Sequence, residues 1–149
     1  MAEGRITAQT AKNKLTAMPK LTLVVNTKNE EENIERCLKS VAGLADDILV
    51  VDMNSSDKTV KLAKKLGAKG LNYKKEHGFA DPARNFALSK ADGEWILILD
   101  ADEELSTQTK DNLKKAIDQD NFDVFYLPRK NIIFSKWLEH TWWWPDYQP

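Results

Sequence analysis

The sequence predicts an α/β fold in which a mainly parallel sheet carries helices on both faces. Apolar runs of strand length alternate along the chain with segments whose apolar residues recur at helical spacing. The runs are continuously apolar, as in LTLVV at residues 21–25 and ILVV at residues 48–51. Such strands are typical of parallel sheets buried between helices, where ligands bind at the carboxyl ends of the strands.

The strands are expected in the order in which these runs occur. They are Leu21–Val25, Ile48–Val51, Gly70–Tyr73, Trp95–Leu99 and Phe122–Leu127. The intervening segments place apolar residues three or four apart, as Ile34, Leu38 and Val41 show in the first of them. This alternation indicates consecutive strand–helix units.

The predicted helices begin at residues that can cap an amino terminus. The expected caps, in chain order, are Asn29, Asp57, Asp81 (with Pro82 at the first helical position) and Ser106. For Asp57 the cap is favoured over any role in binding.

The amino-acid composition indicates the general class to which the protein belongs. The chain has 149 residues, of which 42% are hydrophobic and 30% charged, as expected for one ordinary globular domain. The net charge of -1 gives no electrostatic reason to expect nucleic acid as a partner. Cys37 is the single cysteine, which favours a reducing, cytoplasmic compartment. Residues 1–19 are expected to form a flexible polar leader, ahead of a folded domain at residues 20–149.

Two carboxylates follow the fourth strand. Asp100 and Asp102 stand two apart in WILILDADEEL, so their side chains can point to one side of an extended backbone. Two such oxygen ligands suit Mg²⁺ or Mn²⁺, which completes its shell with phosphate oxygens and water. The alternative is that the acidic residues merely favour the start of the next helix. Ser106 is a better cap for that helix, and the alternative does not account for Asp100.

Two further polar residues stand where a nucleotide would bind. Asp52 ends the second strand, where a carboxylate can accept hydrogen bonds from a ribose or a base. Arg84 is either a solvated surface charge or a group that reaches a diphosphate. The chain contains neither G-x-G-x-x-G nor a P-loop, so metal and arginine would have to neutralise the phosphates. His77 and His140 lack partners at metal-ligand spacing, which argues against zinc.

Four segments occur in collinear order between about Lys20 and Gln148. They are LTLVVNTKNEEENIERCLKSV, ILVVDMNSSDKTVKLAKKLGAK, ARNFALSKADGEWILILDADEEL and PRKNIIFSKWLEH. Together they resemble the family 2 glycosyltransferases of the GT-A fold (Rossmann-like), and in particular the lipopolysaccharide core β-glucosyltransferase-like branch. The resemblance implies an inverting sugar transfer from a nucleotide-diphosphate sugar, expected to be a UDP-sugar, to a saccharide or lipid-linked acceptor. It also implies a role in lipopolysaccharide or other cell-envelope polysaccharide synthesis.

The resemblance further implies roles for individual residues. The expected donor-binding residues are Thr27, Asn29 and Glu30 at the nucleoside, Asp52 at the base or ribose, Arg84 at the diphosphate, and Asp100 and Asp102 at the divalent metal (Mn²⁺ or Mg²⁺) and diphosphate. The segment WWWPDYQ matches the place of the family's acidic motif, which makes Asp146 the candidate general base.

Two alternative functions remain open. The chain stops at Pro149, where family members continue, so the acceptor side of the site is expected to be incomplete. A truncated, inactive remnant that binds a nucleotide sugar is therefore the main alternative. A nucleotidyltransferase would be expected to carry a basic, glycine-rich loop after the first strand, whereas this chain has TKNEEEN at residues 27–33.

Bulky apolar residues cluster in Ile132–Trp144, which ends in three consecutive tryptophans. Such a segment can form an acceptor platform, or can lie in a membrane interface where amphipathic rings are favoured. Peripheral contact with the inner face of the membrane is therefore one expectation. The favoured interpretation is that these side chains pack on the core or on further C-terminal structure.

Overall fold

The computed structural model describes residues 20–74, 81–119, 122–140 and 146–148. The chain forms two compact units, Met1–Lys114 and Lys115–Pro149. The predicted leader at residues 1–19, His77 and Trp142–Trp144 lie outside the described residues. Within the described ranges, no helix is long and apolar enough to cross a membrane.

Four parallel strands form the sheet of the first unit. They are β1 (Leu21–Thr27), β2 (Asp47–Asp52), β3 (Lys69–Asn72) and β4 (Trp95–Asp100), in the spatial order β3-β2-β1-β4. All three neighbouring pairs are parallel, which confirms the predicted sheet. Every residue of β1 is buried, because strands flank it on both sides and helices cover both faces.

Helices lie on both faces of this sheet. They are α1 (Ile34–Ser40), α2 (Thr59–Lys65), α3 (Asp81–Leu88) and α4 (Thr107–Ile117). On one face, Ala83 and Ala87 of α3 pack against Val51. The neighbouring Val50 points to the opposite face, where it lines a small cavity with Ala63 of α2.

The strand register aligns the polar carboxyl ends of β1, β2 and β4. Thr27 stands opposite Asp52, and Asn26 stands opposite Asp100. Paired residues of a parallel sheet project to the same face, and Val24 of β1 belongs to the cluster that packs on α3. Asn26 and Asp100 therefore share the face that α3 covers.

The helix cap predicted at Ser106 is confirmed and the one at Asn29 is wrong, while Asp57 stands one residue before Lys58, which is the N-cap of α2. Ser106 Oγ accepts a hydrogen bond from the backbone of α4 at 3.0 Å, and Asp57 Oδ1 accepts one from the N–H of Thr59, where α2 begins, at 3.0 Å. Asn29 does not cap α1. Its φ of 56° places it in the left-handed region, and its side chain accepts hydrogen bonds from Ser56 instead. Asn29 is thus held by the neighbouring loop rather than by the helix.

Short antiparallel strands make up the second unit. They are β5 (Leu127–Arg129), β6 (Ile132–Ile133), β7 (Lys136–Trp137) and β8 (Asp146–Gln148), with β5 paired to β8 and β6 paired to β7. The strand predicted at Phe122–Leu127 is wrong, because only its last residue belongs to β5. Phe122, Val124 and Tyr126 are 57–60% exposed. An apolar run favours burial, but it does not specify a strand partner that would provide it.

Candidate functional site

An ion pair joins α3 to the end of β4. Arg84 Nη2 donates a hydrogen bond to Asp100 Oδ1 at 3.2 Å. The two side chains are 32% and 42% exposed, so the pair borders solvent. The sequence left Arg84 as either a surface charge or a diphosphate ligand. The structure places it on one of the two predicted metal-binding carboxylates, at the carboxyl edge of the sheet.

Hydrogen bonds fix the turn that follows β4. The Glu103 N–H donates to the Asp100 carbonyl at 3.0 Å, and the Asp100 N–H donates to Glu103 Oε2 at 2.8 Å. Arg36 Nη2 donates to the Asp102 carbonyl at 3.1 Å. The Asp102 residue is exposed at this turn. Glu103 and Arg36 thus position the D-x-D turn, a role that the sequence reasoning did not assign to them.

The turn lies next to the buried thiol of Cys37. Cys37 Sγ donates to the Asp100 carbonyl at 3.6 Å, and the residue is fully buried. Burial, followed by the negative charges of Glu103 and Asp102, raises the pKa of the Cys37 thiol from 9.0 to about 12. Burial is the larger cause of this shift, and the nearby carboxylates add to it.

The side chains of Asp100 and Asp102 are the candidate ligands of a divalent ion among the described residues. Within the described ranges, no group of three or more His, Cys, Asp or Glu side chains could hold a metal ion. Asp100 and Asp102 would supply two hard oxygen ligands. Mg²⁺ and Mn²⁺ are commonly held by one or two carboxylates together with substrate phosphates and water. A site that is complete only with the substrate bound is therefore consistent with this donor set.

Asp52 has a structural partner that the sequence reasoning missed. The Ser55 N–H lies 3.3 Å from Asp52 Oδ1 and 3.1 Å from Oδ2, which closes the turn after β2. Asp52 is buried beside Thr27, whose hydroxyl has no hydrogen-bond partner among the described residues. A cavity of about 140 Å³ adjoins Asp52. Ligand pockets usually span roughly 300–1,000 Å³, so this cavity would hold a small group and not a whole nucleotide sugar.

Hydrogen bonds join the loops that follow β1 and β2. The Asn29 N–H donates to Ser55 Oγ at 2.8 Å, and the Ser56 N–H donates to Asn29 Oδ1 at 2.8 Å. The Glu30 N–H donates to Thr59 Oγ1 at 2.8 Å. Asn29 and Glu30 therefore shape the loop that borders the predicted nucleoside pocket. Their direct contact with a nucleoside stays a prediction.

Asn26 is a buried polar residue near the carboxyl end of β1 that the sequence reasoning did not single out. It is 7% exposed, and neither its amide nitrogen nor its amide oxygen has a hydrogen-bond partner within the described part of the chain. An unsatisfied buried polar group costs about 1–3 kcal/mol. The available signal was a polar amide directly after LTLVV, near the end of a buried strand.

Asp146 lies in the second unit. It stands on β8 opposite Arg129 of β5, and its Oδ2 accepts a hydrogen bond from Asn131 Nδ2 at 3.3 Å. The residue is partly buried. The local strand pairing and the Asn131 amide therefore restrain this carboxylate, while its role as general base stays a prediction.

The β6–β7 hairpin presents an exposed apolar surface. Ile132 is 63% exposed, Phe134 95% and Trp137 37%. Phe134 and Ser135 have φ values of 50° and 61°, as at the centre of a type I′ turn, and a bulky residue seldom adopts this conformation. Lys130 Nζ lies 3.8 Å from the centroid of the Trp137 ring. These exposures are those of a surface within the described part of the chain, and packing on further C-terminal structure stays a prediction.

A Rossmann-like parallel sheet with a D-x-D turn at its carboxyl edge defines the class of the GT-A glycosyltransferase domains. A model of the family described as Glycosyl transferase family 2 matches residues 22–148, and the chain belongs to this family. The family assignment confirms the coarse part of the sequence resemblance.

Similar proteins support the same assignment. An uncharacterized glycosyltransferase of Rickettsia typhi is 40% identical over 108 residues, which cover 72% of this chain and 36% of that protein. The crystal structure of residues 1–349 of Staphylococcus aureus TarS superposes with a TM-score of 0.60 at 29% identity, covering 67% of this chain and 32% of that one. TarS is a poly(ribitol-phosphate) β-N-acetylglucosaminyltransferase. The chain spans about a third of the length of the curated relatives it matches.

Proposed function

We propose that this chain provides the donor-binding part of an inverting glycosyltransferase that moves a sugar from a UDP-sugar to an acceptor hydroxyl. The observation that carries the proposal is the Arg84–Asp100 ion pair at the carboxyl edge of the sheet, with Asp102 exposed two residues further on. A guanidinium and two carboxylates at one edge match a diphosphate and its divalent ion. They take the place of the glycine-rich phosphate loop that the sequence lacks.

Each donor-side residue has a distinct role in this proposal. Asp100 and Asp102 would hold Mn²⁺ or Mg²⁺, which when bound supplies a Lewis acid for the departing nucleoside diphosphate. Arg84 donates hydrogen bonds to the diphosphate oxygens. Asp52 on β2 and Thr27 on β1 stand opposite each other in the sheet. Asp52 binds the base or ribose, and Thr27 lines the nucleoside pocket. The loop shaped by Asn29 and Glu30 borders the nucleoside.

We assign the general base to Asp146. An inverting transfer needs a carboxylate that takes the proton of the acceptor hydroxyl on the far side of the sugar from the leaving diphosphate. The support is the match of WWWPDYQ to the family's acidic motif, together with the Asn131 hydrogen bond that restrains the side chain. Undiminished hydrolysis of UDP-sugar by an Asp146→Asn variant would remove Asp146 from this role.

The proposed setting is the synthesis of lipopolysaccharide or another cell-envelope polysaccharide, at the cytoplasmic face of the membrane. The support is the resemblance to the lipopolysaccharide core branch, the relative TarS with its poly(ribitol-phosphate) acceptor, and the exposed hairpin. Radiolabelled donor sugar and a panel of acceptors test this setting. Incorporation into unrelated acceptors, with none into envelope polysaccharides, would contradict it.

Calorimetric titration with UDP tests the donor-binding claim. We expect Mn²⁺ to strengthen UDP binding by about tenfold or more over EDTA, because the ion links the diphosphate to the carboxylates. Asp102→Ala should remove most of this gain. Asp111→Ala is the matched control, since it removes an exposed carboxylate from α4. Equal affinities in EDTA and Mn²⁺ would contradict the proposal.

Donor turnover separates the enzyme from the alternative, a chain that binds a nucleotide sugar without transferring the sugar. Hydrolysis of UDP-sugar is measured on the same samples that are used for calorimetry. Metal-dependent binding together with turnover supports the transferase. Metal-dependent binding without any turnover favours the binding module.

A further inference from the structure

Asn26 is buried, and neither atom of its amide group has a hydrogen-bond partner within the described residues. Asn26 and Asp100 are register partners in neighbouring strands, about 4.8 Å apart across the ladder. Both side chains project to the face that α3 covers. The Asn26 amide donor is therefore close enough to meet the Asp100 carboxylate after a side-chain rotation.

The hydrogen bond between Arg84 and Asp100 is long for a charge-assisted bond. Their hydrogen bond measures 3.2 Å, whereas charge-assisted bonds of this type are usually about 2.7–2.9 Å. Arg84 Nε is also buried without a hydrogen-bond partner among the described residues. A diphosphate presents more negative charge than one carboxylate and can accept two parallel N–H bonds, so it competes well for this guanidinium.

We propose that Asn26 is a positioning residue for Asp100 in the donor-bound state. When the guanidinium of Arg84 turns to the diphosphate, the Asp100 carboxylate accepts a hydrogen bond from Asn26 Nδ2 instead. Asn26 thereby adds a hydrogen bond that restrains the Asp100 carboxylate while Arg84 binds the diphosphate. This inference rests on the proposed function, because the diphosphate is what draws Arg84 away.

The competing explanation is structural. An ordered water molecule would satisfy the Asn26 amide in the free protein, and the residue would then have no part in binding. The two explanations differ in what removal of the amide does. A group that is unsatisfied in the free protein can be replaced by an apolar side chain without loss of stability, whereas a satisfied group cannot.

The test compares three variants. Asn26→Leu replaces the amide with an apolar group of similar branching, and Asn26→Ala covers the case in which Leu does not fit. Thr22→Val is the matched control, because the Thr22 hydroxyl is likewise buried and unpartnered among the described residues, on the same face of β1 but at its other end. The readouts are the urea midpoint of unfolding and the UDP affinity in Mn²⁺ and in EDTA.

Both Asn26 variants are expected to bind UDP about tenfold more weakly in Mn²⁺ and within about twofold of wild type in EDTA. Asn26→Leu should keep or raise the urea midpoint, and Thr22→Val should leave binding unchanged. Wild-type affinity in Mn²⁺ for both Asn26 variants overturns the inference alone, as does a lowered midpoint for Asn26→Leu. A wild-type chain without metal-dependent UDP binding overturns the proposed function and the inference together.

Discussion

Asp100 is held by its backbone as well as by its side chain. Its carbonyl accepts hydrogen bonds from the Glu103 N–H and from Cys37 Sγ, its N–H donates to Glu103 Oε2, and its carboxylate pairs with Arg84. These contacts fix the strand end from which the carboxylate projects. Such restraint matters for a catalytic site, because misplacement by about 1 Å can cost on the order of 100-fold in rate.

Cys37 is expected to make stability depend on pH in alkali. Burial is the main cause of its raised pKa, which is about 12 in the folded protein against 9.0 as the ordinary value. The folded state therefore keeps a proton that the unfolded chain loses. The free energy of unfolding should fall as the pH rises above about 9, by up to about 1.4 kcal/mol per pH unit.

Urea unfolding between about pH 8 and about pH 10 measures this effect in the wild type and in Cys37→Ala. The Ala variant has no thiol to titrate, so its stability should decline less steeply over the same range. Parallel declines in the two proteins would show that other groups account for the whole pH dependence.

The loops after β1 and β2 act as one structural element. Asp57 links the two loops, because its carboxylate accepts hydrogen bonds from the Glu31 N–H after β1 and from Thr59 after β2. Burial by itself raises the pKa of Asp57, but the hydrogen bonds from Thr59 and Glu31 outweigh it and lower the pKa below 3.8. This contribution to stability is present above pH 3.8 and is lost as the pH falls through the folded-state pKa.

Asn29→Ala is expected to lower the free energy of unfolding by about 1–2 kcal/mol. The variant loses the acceptor for the Ser56 N–H and hydroxyl, and it places alanine at a φ of 56°, which favours asparagine. Asn29→Asp is the control, because it keeps an acceptor oxygen and tolerates the same φ. Denaturant unfolding should show Ala clearly less stable than Asp, and equal stabilities would contradict the loop contact.

The sequence predicted the elements whose signals are local. The apolar runs of β1 and β2, the cap at Ser106, and the aspartates at the end of β4 all have this character. Contacts between residues that are far apart in the sequence could not be predicted from local patterns. Nothing near Asn29 in sequence shows that Ser56 competes for its side chain, and nothing near Arg84 shows that Asp100 is its partner.

The Phe122–Leu127 prediction failed for a related reason. Strand propensity is local, but a strand exists only where a partner provides the ladder, and β5 finds its partner in β8. Asn26 is a different case. Its position near the end of a buried strand could be predicted from the sequence. The lack of a hydrogen-bond partner within the described residues is a property of the folded chain.

The exposed apolar surface of the β6–β7 hairpin is a candidate contact surface for a membrane. Phe134 at its tip is 95% exposed, and Lys130 and Lys136 stand nearby in sequence. Aromatic and basic side chains together favour an anionic membrane interface. Flotation with anionic liposomes should carry the wild type upward at low salt, and Phe134→Ser should reduce the floated fraction by about half or more.

Phe122→Ser is the control for flotation, because Phe122 is also exposed but lies outside the hairpin. Its floated fraction should match that of the wild type. A wild-type protein that remains wholly in the soluble fraction would count against the membrane contact and leave an acceptor or further protein structure as the partner of this surface.

The proposed function requires the carboxyl edge of the parallel sheet to bind a nucleoside diphosphate through a divalent ion held by Asp100 and Asp102. The most direct measurement is anomalous diffraction at the manganese edge from crystals grown with UDP and Mn²⁺. We expect one manganese peak within about 2.5 Å of an oxygen of each carboxylate and of a diphosphate oxygen. Bound UDP with no manganese at these two aspartates, or manganese held by other residues, would contradict it.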